Sequence, residues 1–220
     1  DWGRDVEIIY KHHHMPPKVG LLDYERGRSD KLTWHSWITD TILGTKSWSY
    51  IEDEVYKPAG RLVHNFCDRI AKNGYLLLNF GPRADGTIPE EVTSRMRQMG
   101  DWLKVNKEAV FNSTAWVLAE EGPTKMEKSG GFSEHQEVEY TAGDKRFVVK
   151  DNSLYVFVLG WPGRELLIKS LIGAPKKSKV KDFYLIEESD VESVQLLGHN
   201  KKLQWELTHF GMKVQMPEEK

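Results

Sequence analysis

The sequence predicts an α/β domain followed by an all-β domain. Between residues 58 and 110, a helical pattern, a continuous apolar run, a loop and a second helical pattern follow one another. This order is typical of parallel strands joined by crossover helices. After about residue 140, only short strand-like runs separated by turn residues remain, which is typical of an antiparallel β-sandwich. We therefore predict two domains, residues 1–140 and residues 141–220.

Short apolar runs bounded by proline and glycine predict the first strands. Val6–Tyr10 and Val19–Glu25 are two such runs, and a third lies between Trp34 and Ile42. Pro16 and Pro17 prevent a continuous helix between the first two runs. The first domain therefore starts with strands.

The middle of the first domain has helical spacing on either side of a buried strand. Apolar residues recur on one helix face between Pro58 and Gly74, and glycine is a common helix stop. Tyr75–Phe80 is apolar except for Asn79, which predicts a strand buried on both faces. A second helix is predicted to open at Pro89, since proline suits the first helical position. The predicted buried residues are Leu62, Val63, Phe66, Cys67 and Ile70 in the first helix and Val92, Met96, Met99 and Leu103 in the second.

The second domain reads as strands throughout. Asp151 and Asn152 form a good hairpin turn between the first two runs. The predicted strands are residues 145–150, 153–159, 164–170, 180–186, 191–197, 203–207 and 212–216.

Composition excludes several functional classes. The formal net charge is -2, from 31 basic and 33 acidic residues, which argues against a dedicated nucleic-acid binder. No apolar run approaches the roughly 20 residues that span a bilayer, so we predict no membrane crossing. Cys67 is the one cysteine, which excludes a disulfide framework and a cysteine zinc site. Oligomeric state is not predicted.

One acidic residue is well placed for catalysis. Leu21, Asp23 and Glu25 share one side of a predicted strand, because side chains alternate. The carboxyl end of a barrel strand is where active sites are built, and Glu25 lies at that end. Glu25 is therefore either a general acid/base or a surface carboxylate paired with Arg26 or Arg28.

Aromatic and amide side chains are further candidates for ligand contacts. Trp34, Trp37 and Trp48 are close in sequence to Tyr50, and their rings either stack on a sugar or pack in the core, which is the usual place of tryptophan. Asn79 ends a predicted strand and is either a ligand contact or a hydrogen-bonding strand terminus.

Two further motifs are weak. His12–His14 are consecutive, so they cannot all face one ion, and we predict a surface loop and no metal site. Gly81–Gly86 contains glycines but lacks the spacing of a phosphate-binding loop.

Several motifs, in order along the chain, resemble family 29 α-L-fucosidases. Lys72–Pro89 resembles the signature near the end of their catalytic barrel, and Met99–Val110 resembles the last barrel helix. Leu22–Arg28 and Ser47–Tyr50 also fit, and Tyr155–Pro162 is similar to the start of their C-terminal β-sandwich. The resemblance implies the C-terminal part of a (β/α)8-like barrel in residues 1–140, without its N-terminal part, followed by the sandwich in residues 141–220.

The resemblance also implies an activity and site residues. The family hydrolyses terminal α-L-fucosyl linkages in glycans with retention, using two carboxyl groups about 5–5.5 Å apart and no cofactor or metal. Glu25 matches the acid/base position, Trp48 matches an aromatic that lines the fucose pocket, and Lys11 falls near a basic residue that faces the sugar. The nucleophilic aspartate lies on an earlier strand, and Asp1 is too close to Glu25 to be its counterpart. We therefore expect a truncated or processed chain that is inactive by itself.

Two alternatives remain. The sandwich could bind carbohydrate on Trp161 or Trp205, although core packing is the more usual role of such residues, or it could serve only to stabilise the barrel. The resemblance further implies a secreted protein, periplasmic or extracellular in a bacterium and lysosomal in an animal.

Overall fold

The computed structural model describes residues 6–11, 15–16, 18–135, 138–173 and 185–218. Its α-helices are α1 (Ala59–Ala71) and α2 (Glu90–Val110). The strands are β1 (Ile9–Tyr10), β2 (Leu21–Asp23), β3 (Trp37–Ile42), β4 (Gly74–Asn79), β5 (Thr114–Glu121), β6 (Lys145–Lys150), β7 (Ser153–Val158), β8 (Glu165–Ile168), β9 (Ile172–Gly173), β10 (Leu185–Ile186), β11 (Val194–Gln195), β12 (Lys202–Leu203), β13 (Trp205–Thr208) and β14 (Gly211–Gln215).

The chain divides into two compact units. The first takes its described residues from the ranges 1–120, 124–139 and 146–157, and the second from 121–123, 140–145 and 158–220. Most of the β6–β7 hairpin therefore belongs to the first unit. The predicted domain boundary at residue 140 stays a prediction.

Strands β1 to β4 form one sheet in which neighbours in sequence are neighbours in space. All three pairings are parallel, so the four carboxyl ends lie at one edge of the sheet. Helix α1 is the crossover between β3 and β4, whereas residues 24–36 connect β2 to β3 without a helix. The predicted parallel α/β arrangement is confirmed.

The two faces of this sheet differ. Helices α1 and α2 cover one face, where Leu62 and Val92 pack with Leu43 and with Leu78 of β4. Burying each such side chain contributes about 1.5–3 kcal/mol. On the other face of β4, Tyr75 is 55% exposed and Leu77 52% exposed. The prediction that this strand is buried on both faces is therefore wrong, because the helices pack on one face only.

Helix α1 ends at Ala71, three residues before the glycine that was predicted to stop it. Lys72 is the C-cap and Asn73 has φ 68°, so asparagine takes the left-handed position after the helix. Gly74 instead begins β4 and pairs with Trp37. A Cβ at Gly74 would lie 2.5 Å from the buried indole of Trp37, so the close approach of that ring requires glycine.

A second sheet of the first unit, in the order β5-β6-β7, was only partly predicted. The β6–β7 hairpin turns at Asp151, which has φ 52°, as the sequence indicates. Strand β5 was not predicted. It supplies Glu120, which enters a buried group of charged residues.

This buried group connects α1 to the second sheet. Lys72 Nζ lies 3.0 Å from Asp68 Oδ1 and 2.9 Å from Glu120 Oε2, and Arg146 Nε lies 2.5 Å from the same oxygen of Asp68. Burial raises the pKa of Asp68, but the charges of Lys72 and Arg146 outweigh it and hold the pKa below its ordinary value. The ionised form of Asp68 therefore stabilises the fold.

The second unit consists of strands and short turns in its described part. Strand β14 pairs antiparallel with β13 and β8, and β11 pairs antiparallel with β12. The short pair of β9 and β10 is parallel, unlike these antiparallel pairs. Trp161 and Trp205 are both half-buried. Neither helix in the described part of the chain combines the length and apolarity needed to cross a membrane.

The substitution Asp68→Asn should destabilise the protein by about 3–5 kcal/mol at pH 7, because it leaves two buried cations without this carboxylate. Since the pKa of Asp68 is lowered by folding, its contribution is present above the unfolded pKa of about 3.9 and is lost as the pH falls through the folded value. Urea unfolding at pH 7 and about pH 3 should show the difference shrinking in acid. Asp101→Asn, in an exposed pair with Lys104, is the matched control and should cost well under 1 kcal/mol. An Asp68 variant as stable as that control would contradict the argument.

Candidate active site

The carboxyl edge of the parallel sheet brings four charged residues together. Lys11 follows β1, Asp23 is the last residue of β2, Glu25 comes two residues later, and Asp40 lies near the end of β3. Their side chains share one face of the sheet, because side chains alternate between the two faces and paired residues of neighbouring strands point to the same face. We call these four residues the edge cluster.

Lys11 is the centre of the edge cluster. Its Nζ lies 2.7 Å from Glu25 Oε2, 3.1 Å from Asp40 Oδ2 and 3.4 Å from Asp23 Oδ2. An ammonium group has three donors, and its close oxygens come from three different carboxylates. The side chains of Lys11 and Glu25 are 35% and 28% exposed, so a ligand can reach both from solvent.

One ammonium group lies beside the carboxyl groups of three acidic residues in the edge cluster. Burial raises the pKa of Asp23, and the nearby Asp40 carboxylate adds to the rise, against a hydrogen bond from the Asp40 amide and the charge of Lys11. Burial lowers the pKa of Lys11, but hydrogen bonds to Glu25 and Asp40 outweigh it and raise the pKa overall. Lys11 therefore stays charged beside three carboxyl groups.

The structure decides part of the choice left open for Glu25. The carboxylate of Glu25 forms its ion pair with Lys11. The side chains of the two arginines that were expected as alternative partners contact other residues. Arg26 Nε lies 3.1 Å from Glu134 Oε1, and Arg28 Nη2 donates to the carbonyl of Ser133 at 3.0 Å. Pairing with Arg26 or Arg28 is thus wrong because both side chains turn toward residues 133–134.

The sequence reasoning missed Asp40. A signal was available, since Asp40 stands between Ile38 and Ile42 on one side of a predicted strand, where a lone acid is unusual. Glu134 was missed as well, and 108 residues separate it from Arg26 in sequence. No local pattern connects residues so far apart.

The three tryptophans occupy different environments. Trp37 is fully buried, as expected for core, whereas Trp34 is 69% exposed under the ammonium of Lys18. Trp48 is 37% exposed, and its carbonyl accepts a hydrogen bond of 2.8 Å from Asn79 Nδ2. Asn79 thus serves as a hydrogen-bonding strand terminus and holds the Trp48 loop at the edge where β4 ends.

Metal binding finds no further support in the described residues. No group of three or more His, Cys, Asp or Glu side chains there is arranged to hold a metal ion. His12–His14 lie outside the described residues.

Comparison with known families agrees with this architecture. A family model described as alpha-L-fucosidase matches residues 8–108, and a second, described as alpha-L-fucosidase C-terminal domain, matches residues 133–220. Together they cover most of the chain. The chain belongs to the α-L-fucosidase family.

Curated relatives in this family are considerably longer. Plasma alpha-L-fucosidase of Pongo abelii is 29% identical over 225 residues, which cover 99% of this chain and 40% of the relative. Plasma alpha-L-fucosidase of Rattus norvegicus is 31% identical over 187 residues, which cover 83% of this chain and 34% of the relative. The chain thus spans well under half the length of the relatives it matches.

Solved structures of the family share the fold. Thermotoga maritima alpha-fucosidase matches with a TM-score of 0.64 at 22% identity, over 86% of this chain and 37% of that one. The same enzyme in complex with a mechanism based inhibitor matches with a TM-score of 0.66 at 20% identity, over 99% of this chain and 40% of that one. The predicted fold class, part of a barrel followed by a β-sandwich, is confirmed. The roles of Glu25, Trp48 and Lys11 stay predictions.

Replacing the central cation should shift the titration of its neighbours. In Lys11→Met, the pKa of Asp23 should rise further, because the nearby positive charge that opposes the rise is gone. When folding raises the pKa of an acid, the free energy of unfolding falls as the pH rises through the folded value. The variant should therefore lose more stability at pH 7 than near pH 4. Carboxyl NMR titration and urea unfolding measure the two effects. Lys46→Met, which breaks an exposed pair with Asp53, is the control. An unchanged Asp23 titration would overturn this description of the edge cluster.

Proposed function

We propose that this chain supplies the acid/base part of the active site of a retaining, exo-acting α-L-fucosidase that removes terminal fucose from glycans. Family membership supports the reaction class. The observation that carries the proposal is the placement of Glu25, which is accessible at the carboxyl edge of the parallel sheet and held by Lys11 at 2.7 Å.

In this proposal Glu25 transfers protons in both steps. It protonates the leaving glycosidic oxygen and then, as a carboxylate, removes a proton from the attacking water. The Lys11 hydrogen bond occupies Oε2, so we assign the proton transfer to Oε1.

The acidic residues beside Glu25 in the edge cluster suit the same reaction. The transition state of glycoside hydrolysis resembles an oxocarbenium ion, which carries positive charge on the sugar ring. Fixed carboxylates near that charge stabilise it more than the neutral ground state. Asp23 and Asp40 would contribute in this way without bonding to the sugar.

Further contacts complete the proposal. Trp48 lines the pocket for fucose. Lys11 contacts both Glu25 and the sugar. The nucleophilic aspartate is supplied by residues outside this chain. The protein is secreted, periplasmic or extracellular in a bacterium and lysosomal in an animal, and the plasma enzymes among its relatives support a secreted location.

The 220-residue chain alone should not hydrolyse an aryl α-L-fucoside, because it carries one of the two required carboxyl groups. The assay is chromophore release over hours at high protein concentration, with an intact α-L-fucosidase as the positive control. Turnover by the chain, abolished by a fucosidase inhibitor, would show that the nucleophile is present after all.

Glu25→Gln tests the acid/base assignment in a protein that joins this chain to the preceding barrel strands of a relative. Loss of a general acid typically costs about 10²–10⁴-fold. We expect such a loss for fucosides with poor leaving groups and a much smaller one for activated aryl fucosides, which need no protonation. Glu52→Gln, an exposed glutamate in the same unit, is the matched control and should change neither rate. Equal losses on both substrate types would remove Glu25 from this role.

A further inference from the structure

The exit of β2 is held from one side by residues 130–134, which we call the bracing segment. Phe132 N donates to the carbonyl of Glu25 at 2.7 Å, and Glu134 N donates to the carbonyl of Arg26 at 3.0 Å. The bracing segment therefore binds the backbone of Glu25 and of the residue that follows it.

The contact continues two residues further with very close backbone packing. Arg28 and Gly130 exchange backbone hydrogen bonds of 3.3 Å and 2.7 Å. A Cβ added at Gly27 would lie 2.0 Å from the carbonyl oxygen of Gly130, so glycine is required there. The position of the bracing segment is thus fixed along the whole β2 exit.

The side chain of Glu134 ties this contact to β3. It accepts hydrogen bonds from Arg26 Nε at 3.1 Å, from Lys57 Nζ at 2.9 Å and from the hydroxyl of Thr41. Arg26 follows Glu25, and Thr41 follows Asp40. Glu134 therefore holds the neighbours of two members of the edge cluster.

The backbone conformation of Arg26 requires stabilising contacts. Arg26 has φ 45°, a left-handed conformation that costs a non-glycine residue free energy unless its surroundings hold it. The carboxylate of Glu134 is almost fully buried, and charge-assisted hydrogen bonds of this kind are the stronger ones. Burial raises the pKa of Glu134, but the charge of Lys57 and hydrogen bonds from its partners hold the pKa below its ordinary value.

We propose that Glu134 is a positioning residue for Glu25: it holds Arg26 in the left-handed conformation that keeps the Glu25 carboxyl on Lys11. The catalytic meaning of this inference rests on the proposed function of Glu25. Glu134 does not touch the sugar, and it acts through the backbone of residues 25–26 and the side chain of Arg26.

Amide hydrogen exchange on the 220-residue chain tests the positioning directly. In Glu134→Gln, exchange at the Phe132 amide should accelerate by about tenfold or more relative to the β6 amide of Phe147, because the charged anchor is lost. Arg26→Lys is a milder second variant, for which we expect the same acceleration. It keeps the positive charge but loses the guanidinium group that donates to both Glu134 and the carbonyl of Thr45. Glu139→Gln, exposed and five residues further on, is the control. Equal acceleration at Phe132 and Phe147, or none at either, would reduce Glu134 to general stability and overturn the proposal.

Kinetics in the joined enzyme separate this proposal from the assignment of Glu25. Glu134→Gln should slow poor leaving groups more than activated ones and should add little in a Glu25→Gln background, because both changes remove one function. Glu134→Asp should recover part of the loss. Additive effects would contradict positioning through Glu25. If Glu25→Gln itself fails to distinguish leaving groups, the acid/base assignment fails, and the exchange data still decide whether Glu134 fixes this loop.

Discussion

The parallel register of β1 to β4 is the constraint on which the candidate active site depends. It places the ends of all four strands at one edge and the side chains of Lys11, Asp23 and Asp40 on one face. Side chains alternate with a period of two, so a slip of one residue in β3 would turn Asp40 toward the helices and Trp37 toward the open face. Burial of Trp37 against Gly74 therefore stabilises the register that the edge cluster needs.

Two buried aspartates show how differently this fold treats charge. Asp68 has two cations within 3.0 Å, and its pKa is held below the ordinary value. Asp23 shares one cation with two other carboxylates, and its pKa is raised. The first arrangement stabilises the folded state at neutral pH, whereas the second weakens it. Ionisable groups with shifted pKa values near an accessible surface are typical of functional sites.

Local patterns in the sequence predicted the elements and one catalytic candidate. The helical spacing of α1 and α2, the hairpin at Asp151 and the placement of Glu25 at a strand end all depend on residues close in sequence. The contacts that complete the site do not. Lys11 meets Asp40 across two strands, and Glu134 meets Thr41 across 93 residues, so neither pairing leaves a periodic signal. Strand β5 was missed although Trp116–Leu118 is a short apolar run, and the contact of its Glu120 with Lys72 again joins residues far apart in sequence.

The boundaries of the family matches differ from the boundaries of the packed units. The first match ends at residue 108 and the second begins at residue 133, yet Glu134 and the β6–β7 hairpin belong mainly to the first unit. Arg146 of β6 pairs with Asp68 of α1, and Glu134 pairs with Arg26 beside Glu25. Residues matched as the C-terminal domain thus stabilise the unit that carries the candidate acid/base. A cut placed at the start of the second match would leave Lys57 and Arg26 without their shared buried carboxylate, Glu134, and would remove Arg146, one of the two buried cations of Asp68. Breaking such a buried pair costs several kcal/mol.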